Sequence, residues 1–323
     1  MTWIRAVHFA ATITVAGAVL FAALIAEPAF RISNAAAPAR SDFRRALAWI
    51  AWPGLIATVA SGAAWLVAVA QSMSGAPLPD VFPQGVLGIV LLRTSFGHDW
   101  LARFALACVL GVLLFPLLSA NDNKPLWFCA VVTAAAAALA GTLTWAGHAA
   151  GAPGTEGLIH PPADFLHLVA AAAWVGTLLP LVVLLAATGA DAASLALAHT
   201  VTVRFSALGI ASVATLLITG SINTWYLAGS VRALTDTDYG RLLLLKVALF
   251  LAMVAVAAVN RFLLTPRLAQ TADAAARQAA LHQLRRNAGV EIAIGTLVIV
   301  IVAVLGTTAP GLFVNLPAAH HSH

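Results

Sequence analysis

The sequence predicts an all-α polytopic membrane protein of about eight transmembrane helices, arranged as two tandem four-helix repeats in parallel orientation. Hydrophobic residues make up 61% of the 323-residue chain and charged residues only 9%, whereas soluble domains contain about 25% charged residues. Apolar runs of about twenty residues, each long enough to cross the hydrocarbon core of a bilayer, recur along the chain. Short polar motifs of the first half also recur in the second half.

Eight segments are interpreted as membrane spans because each is long and mainly apolar. They are Trp3–Ala26, Ala46–Ala70, Trp100–Ser119, Pro125–Gly147, Pro162–Ala187, Arg204–Ala228, Gly240–Leu264 and Gly289–Ala309. The run Val86–Leu92 is too short to span and is predicted to be interfacial or re-entrant. The alanine-rich stretch Pro266–Asn287, with its spaced arginines, is predicted to form a cytoplasmic helix beside anionic lipid.

The distribution of basic residues predicts the orientation of these spans. With the N-terminus outside, 11 of the 17 lysines and arginines fall on the inner side. The others, on the outer side or in the outer leaflet, are Arg5, Arg93, Arg103, Arg232, Arg241 and Lys246. Because inner loops carry the excess of positive charge, both termini are predicted to be periplasmic in a bacterial inner membrane. The basic pI is explained by these lysines and arginines, which set the orientation of the spans. Membrane lipid is therefore an expected partner and nucleic acid is not.

The histidines concentrate on the same outer side. Of the ten histidines, all but His199 and His282 are placed there: His8, His98, His148, His160, His167, His320, His321 and His323. Histidine is the commonest metal ligand in proteins, so this bias indicates metal binding. The alternative is that histidine is simply tolerated at a membrane interface and in a polar tail.

An internal duplication is indicated by three sets of matching motifs. They are His8 with Gly17 against His167 with Gly176, Arg45 ahead of Ser61-Gly62 against Arg204 ahead of Thr219-Gly220, and Thr94-x-Phe96-Gly97-x5-Arg103 against Thr237-x-Tyr239-Gly240-x5-Lys246. A four-helix unit repeated once keeps its orientation, so the halves are predicted to be related by an axis along the membrane normal. The predicted domains are repeats 1–147 and 162–309, a periplasmic His/Gly/Pro loop 148–161 and a periplasmic tail 310–323.

A metal-capture site is predicted at the outer ends of these repeats. Asp164 and His167 are three residues apart and share one face of a helix, and His148 ends the preceding span. His8 and His167 each lie about five residues, or roughly 8 Å, below a helix start. Under the predicted two-fold relation they lie at matched depth, and joint coordination requires them to converge. The predicted site is therefore His8, His148, Asp164 and His167, unless the two matched histidines are equivalent packing positions.

Further residues are assigned supporting roles. Arg103 and Lys246 are matched cations, expected to pair with acids such as Asp164 or with carbonyls, or to snorkel to the interface. Asn223 is expected to hydrogen-bond across helices or to line a path. Cys108 and Met253 are soft donors that suit Cu(I), although both residue types are also ordinary apolar filler. His98, His160 and the tail histidines His320, His321 and His323 are secondary ligand candidates.

Several function classes are excluded by missing motifs. The sequence contains no GxxxxGKS/T phosphate loop, no Cys-Cys metal-finger spacing and no nucleophile elbow. The protein is accordingly not expected to be an enzyme. Any transport is expected to be passive, driven by a gradient, or driven by ligand exchange with partner proteins.

Several spaced motifs resemble those of the bacterial copper resistance protein D family (CopD/PcoD). They are the run Asp164 to Gly176, the run Arg204 to Asn223, the segment Tyr239 to Lys246 and the pair Asn260-Arg261. The resemblance covers essentially the whole chain, with a CopD-like core at about 204–305. The chain departs from the family in having only Met73 and Met253 beyond the initiator, and Thr177 where a second glycine is common.

The resemblance implies an inner-membrane protein that takes copper from the periplasm into the cytoplasm. It also implies a periplasmic copper-binding partner of the CopC type. Gly147-His148, Asp164, His167 and His8 match polar motif positions of the family. Two alternatives remain open: a haem-binding membrane cytochrome with axial histidines, and a copper-binding scaffold that does not transport.

Overall fold

Eight long helices dominate the computed structural model, which describes residues 1–32, 37–75, 78–81, 85–120, 124–146, 156–189, 191–228, 231–270 and 273–308. In chain order they are α1 Thr2–Ile32, α2 Pro38–Ser74, α3 Ser95–Leu118, α4 Leu126–Ala146, α5 Leu158–Ala187, α6 Ala192–Leu227, α7 Asp238–Ala269 and α8 Ala274–Leu305. Each is long and apolar enough to cross a membrane, and no strand occurs in the described part of the chain. The predicted all-α class with about eight spans is confirmed.

Three short helices lie outside these spans: Leu78–Val81, Val86–Arg93 and Val231–Asp236. The second coincides with the run that is too short to span. Pro266–Asn287 differs from its prediction, because α8 begins at Ala274 and continues into the membrane without a break. The side chain of Asp273 caps this helix by accepting a hydrogen bond from the backbone N–H of Ala275 at 2.8 Å, which fixes an earlier start than hydropathy indicates.

The helix that contains the span α5 begins two residues before it, at Glu156, and so earlier than the two prolines where the sequence predicts its start. Pro161 and Pro162 lie inside its first turns. Proline has a helical φ but no backbone N–H, so the preceding turn can form while two hydrogen bonds are lost. This places His160 on the helix rather than in the loop 148–161.

Helix α1 occupies the centre of the bundle, packed against α2, α4, α5 and α8. It crosses α5 at Gly17 and Gly176. A Cβ built on Gly17 would lie 2.1 Å from the backbone carbon of Gly176, and one built on Gly176 would lie 2.2 Å from the carbonyl oxygen of Ile13. Only residues without a side chain permit this approach, which is typical of helix contacts in membranes.

The starts of α3 and α7 share a detailed local structure. The Thr94 hydroxyl accepts a hydrogen bond from the N–H of Gly97 at 3.0 Å, and the Thr237 hydroxyl accepts one from Gly240 at the same distance. A Cβ on either glycine would collide with a carbonyl of the short helix before it. This correspondence is consistent with the predicted duplication, while the exact domain boundaries stay a prediction.

Buried polar groups hold the other end of the bundle together. Arg44 forms a buried ion pair with Glu27 at 2.7 Å, and the guanidinium of Arg204 donates to the carbonyl of Leu24 at 2.9 Å. Between α7 and α8, the amide of Asn260 donates to Glu291 at 2.9 Å. These contacts satisfy groups that would be costly to leave alone in hydrocarbon.

Candidate functional site

The imidazole of His167 is oriented by a hydroxyl on the neighbouring helix α6. Its Nδ1 lies 3.0 Å from Thr219 Oγ1, and this hydroxyl donates its own hydrogen to the carbonyl of Thr215 at 2.6 Å. Thr219 therefore accepts from Nδ1–H, which leaves the lone pair on Nε2. Within the described residues, no hydrogen bond occupies that lone pair, so His167 is prepared to act as a ligand.

The residue after Thr219 also packs against this ring. A Cβ on Gly220 would lie 3.4 Å from His167 Cε1, an ordinary van der Waals contact. In the motif Thr219-Gly220, one residue therefore orients the ring and the next lies beside it.

His167 lines a cavity of about 120 Å³ together with His160, Asp164 and Asn223. Asn223 donates from Nδ2 to Asp164 Oδ1 at 2.9 Å, which confirms the expected hydrogen bond between helices. Its Oδ1 is buried and has no hydrogen-bond partner. His160 is buried and stacks on Tyr226 with 5.4 Å between the ring centroids. The cavity thus presents imidazole, carboxylate and carboxamide groups, including one buried oxygen whose hydrogen-bonding capacity is unused.

Two cations line the same cavity as the carboxylate. Lys246 lies close enough to act electrostatically on both Asp164 and His167. Arg5 also lines the cavity, with its guanidinium 4.9 Å from the ring centroid of Trp65. Direct pairing of Lys246 with Asp164 stays a prediction. A metal cation that enters the cavity meets the positive charge of both residues.

The matched histidine of the first repeat has a different environment. His8 is fully buried, with Nδ1 3.1 Å from the carbonyl oxygen of Thr58 and 3.0 Å from Ser61 Oγ. Its Nε2 lies 3.4 Å from Nη1 of Arg103. Because a guanidinium can only donate, it occupies the lone pair that the second repeat leaves open.

Arg103 is in turn held by the end of α4. It donates from Nε to the Thr142 hydroxyl at 3.1 Å and from Nη2 to the Thr142 carbonyl at 2.7 Å. The expectation that this cation pairs with backbone carbonyls is met. His8 and Arg103 therefore form an internally satisfied unit.

The two matched imidazoles do not line a common cavity. His8 lines a pocket with Thr58 and Arg103, and His167 lines the cavity with Asp164. No group of three or more His, Cys, Asp or Glu side chains in the described ranges could hold one metal ion. The expectation of convergence is thus not met, because the duplication produces one pocket in each half instead of a shared site on the axis.

The remaining predicted residues are dispersed. His98 is exposed, with Nε2 3.3 Å from the Leu92 carbonyl. Cys108 is exposed on α3, whereas Met253 is buried and lines a larger cavity in the second repeat. His148, His320, His321 and His323 lie outside the described residues, and their assignment as ligands stays a prediction.

Sequence reasoning missed the residues that distinguish the two pockets. Thr58 and Trp65 contact His8, and Trp100 lines the same pocket. The available signal was the repeat itself, since Trp65, Trp100 and Phe104 of the first half correspond to Asn223, Leu243 and Val247 of the second, although Ala107 corresponds to Phe250.

The fold and this site define a polytopic, all-helical membrane protein with a His/Asp cavity that two cations, Arg5 and Lys246, also line. The family model described as copper resistance protein D-like, N-terminal domain, matches residues 1–158, and the model described as copper resistance protein D matches residues 199–305. The chain belongs to the copper resistance protein D family, as its motifs predict. Members of this family are copper resistance and transport membrane proteins rather than a known class of enzyme.

Three similar proteins extend over much of the chain. "Inner membrane protein YebZ" of Escherichia coli (strain K12) is 33% identical over 314 residues, covering 96% of this chain and 98% of the relative. "Copper resistance protein D" of Pseudomonas syringae pv. tomato is 29% identical over 297 residues, covering 91% of each chain. "Copper transport protein CutJ" of Bacillus subtilis (strain 168) is 30% identical over 237 residues, covering 72% of this chain and 40% of the relative. No solved structure matches the chain.

Proposed function

We propose that this protein carries copper across the bacterial inner membrane, from the periplasm to the cytoplasm, and captures it in the second repeat. The observation that carries the proposal is the open Nε2 lone pair of His167, which lines one cavity with Asp164 and the unpartnered Oδ1 of Asn223. Imidazole is a good ligand for copper. The printed names of the relatives from P. syringae and B. subtilis associate them with copper, which supports this choice of cargo.

The capture site consists of His167 and Asp164, to which the loop and the tail add donors. His160 already lines the cavity. His148 and the tail histidines His320, His321 and His323 would complete the coordination from the periplasmic side. In this arrangement, copper competes with Lys246 for Asp164, because Lys246 acts electrostatically on that carboxylate.

His8 has a structural role in this proposal. Both of its ring nitrogens are engaged, one by α2 and the other by Arg103 of α3. The residue thereby joins three helices of the first repeat. Copper coordination by His8 would require Arg103 to leave Nε2 and would deprive the guanidinium of that acceptor.

The proposed route runs inward along the second repeat. Met253 is buried on the wall of the larger cavity that His167 and Lys246 also line. It follows Lys246 by seven residues on α7, so it lies about 10 Å further along the helix. A thioether at this depth suits a reduced copper ion. Both termini are periplasmic in this arrangement, and a CopC-type periplasmic protein delivers the metal.

The test compares matched histidine variants of the two repeats. We expect His167→Gln to weaken copper binding by at least about tenfold in a competition titration of the purified protein. His8→Gln should retain copper affinity but lower the unfolding temperature, because it disturbs a buried hydrogen-bond network. Equal loss of affinity in both variants, or in neither, would contradict the assignment of the site to the second repeat.

Two further measurements separate transport from other functions. Cells that contain the protein should accumulate more copper than cells that lack it, and His167→Gln should abolish the difference. Unchanged accumulation with intact copper binding would identify a scaffold. A Soret band in the purified protein would identify a haem protein, although the two matched histidines line different cavities and do not form a facing axial pair.

A further inference from the structure

The second repeat contains a cavity of about 480 Å³, and the first repeat contains the closed version of it. The equivalent pocket around His8 has a volume of only about 10 Å³. Each of the eight residues that line it has a repeat counterpart on the wall of the large cavity. His8 corresponds to His167 and Arg103 to Lys246. The pocket around His8 is therefore almost completely filled by side chains, whereas the equivalent cavity around His167 is open.

Two aromatic residues of α3 fill the small pocket, while at one other matched position the relation is reversed, because Ala107 corresponds to Phe250 of the large cavity. Trp100 and Phe104 stack with 5.4 Å between ring centroids and an interplanar angle of 5°, and both line the small pocket. Their counterparts on α7 are Leu243 and Val247, which lack the bulk to close the gap. The second repeat therefore keeps a hollow of about 480 Å³ at a position that aromatic side chains occupy in the first repeat.

The large cavity opens towards the lipid-facing surface of the bundle. On its rim, Trp225 is 77% exposed, Leu217 is 50% exposed and Leu251 is 55% exposed. Deeper walls include the buried Trp174 and Met253. An occupant can therefore enter sideways from the bilayer, and most of its surface must be apolar.

One part of the cavity is polar. Lys246 supplies N–H donors from α7, and Ser221 and Thr224 supply hydroxyl oxygens from α6. Those hydroxyls donate their hydrogens to the carbonyls of Leu217 and Gly220 at 2.8 and 2.7 Å, so their oxygens are left to accept. The polar part thus combines donors on one wall with acceptors on the other.

The depth of this polar part restricts the occupant. Lys246 follows the start of α7 by eight residues and so lies about 12 Å along the helix from that end. A phospholipid headgroup remains at the interface, and an acyl chain offers no partner to Lys246. A neutral ring that carries oxygen atoms and a long apolar tail satisfies both parts of the cavity.

We propose that the large cavity binds an isoprenoid quinone or quinol from the membrane. A quinone carbonyl accepts a hydrogen bond from Lys246, a quinol hydroxyl donates to Ser221 or Thr224, and the tail leaves between α6 and α7. The volume of about 480 Å³ lies in the usual range of small-molecule sites. This binding site goes beyond the proposed copper transport, and its test does not require copper, although the cavity shares His167, Lys246 and Met253 with the proposed copper route.

The test introduces the stacked aromatic pair of the first repeat at the equivalent positions of the second repeat. The double variant Leu243→Trp with Val247→Phe reproduces the Trp100–Phe104 stack, and Leu245→Trp adds similar bulk at an exposed position that does not line the cavity. The full-length proteins are purified in detergent, and binding of a short-tailed ubiquinone is measured by equilibrium dialysis. We expect the double variant to bind at least about tenfold more weakly than wild type and Leu245→Trp to match wild type.

A second variant tests the polar part without changing the shape. Lys246→Met should weaken quinone binding by about tenfold, because a hydrogen bond to a charged group is lost. This variant keeps the test decisive if the double variant does not fold. Wild-type protein that binds no ubiquinone, or that carries only phospholipid when its lipids are extracted, would overturn the proposal. Undiminished binding in a folded double variant would also overturn it.

Discussion

The close crossing of α1 and α5 at two glycines predicts how much a larger residue there would change the stability of the protein. In Gly17→Ala, the new Cβ would lie 2.1 Å from the backbone carbon of Gly176 and 2.4 Å from its oxygen. Carbon atoms in contact prefer about 3.5–4.0 Å, so the helices must separate by at least about 1.4 Å at this point. The position of the new Cβ is fixed by the backbone, and the atoms that it meets are main chain, so no side-chain rotation can relieve the collision.

The expected cost follows from how interiors respond to extra volume. Overpacking by a methylene costs about 1–3 kcal/mol when neighbouring side chains can adjust. Helix α1 packs against four other spans, and its displacement disturbs each of them. We therefore expect Gly17→Ala to destabilise the protein by about 3 kcal/mol.

Gly289→Ala supplies the matched control, because a Cβ there meets nothing within 4 Å. Alanine favours a helix over glycine by roughly 0.5–1 kcal/mol, so the control should be neutral or slightly stabilising. Both variants are compared with wild type by thermal unfolding in detergent. A Gly17→Ala protein that unfolds at or above the wild-type temperature would refute the close approach of α1 and α5.

Three other predictions concern charge. Lys246→Met should raise copper affinity by about tenfold in a competition titration, because a cation that competes for Asp164 is removed; an unchanged affinity would contradict that competition. Glu27→Gln should lower stability by about 3–5 kcal/mol, since it leaves the buried Arg44 guanidinium without its carboxylate; thermal unfolding checks this, and Glu27→Gln combined with Arg44→Met should recover part of the loss. Copper affinity should fall as the pH is lowered, because coordination requires a neutral imidazole; His167→Gln should show a weaker pH dependence in the same titration, and an identical pH dependence would argue against this ligand.

The spans could be predicted from the sequence because hydropathy measures what lipid selects, namely about twenty apolar residues in a row. Their ends could not, because the helices continue into polar sequence where arginines find backbone partners. Arg204 donates to Leu24 of α1, and Arg285 donates from Nε to Leu185 of α5 at 2.7 Å. Such contacts join residues that are far apart in the sequence, so a hydropathy average over neighbouring residues cannot detect them.

Some neighbours within the candidate site could be predicted, but the arrangement of the two halves could not. Helical spacing correctly placed Asp164 and His167 on one wall, and Asn223 bonds across to that wall. The spacing of residues along a helix does not show which neighbouring helices a given face contacts. It therefore could not show that His8 contacts helices of the first repeat. That direction is set by partners such as Arg103, which is remote in sequence.

The central position of α1 has a consequence for biogenesis. This helix is the most enclosed of the eight spans, yet it leaves the ribosome first, and α5, which crosses it at Gly176, emerges only after half of the chain has been made. Until then, surface destined for protein contact must face lipid or the insertion machinery. The first of the eight spans to be synthesised is therefore among the last to acquire its native surroundings, and the bundle in the membrane remains incomplete until α5 has been made.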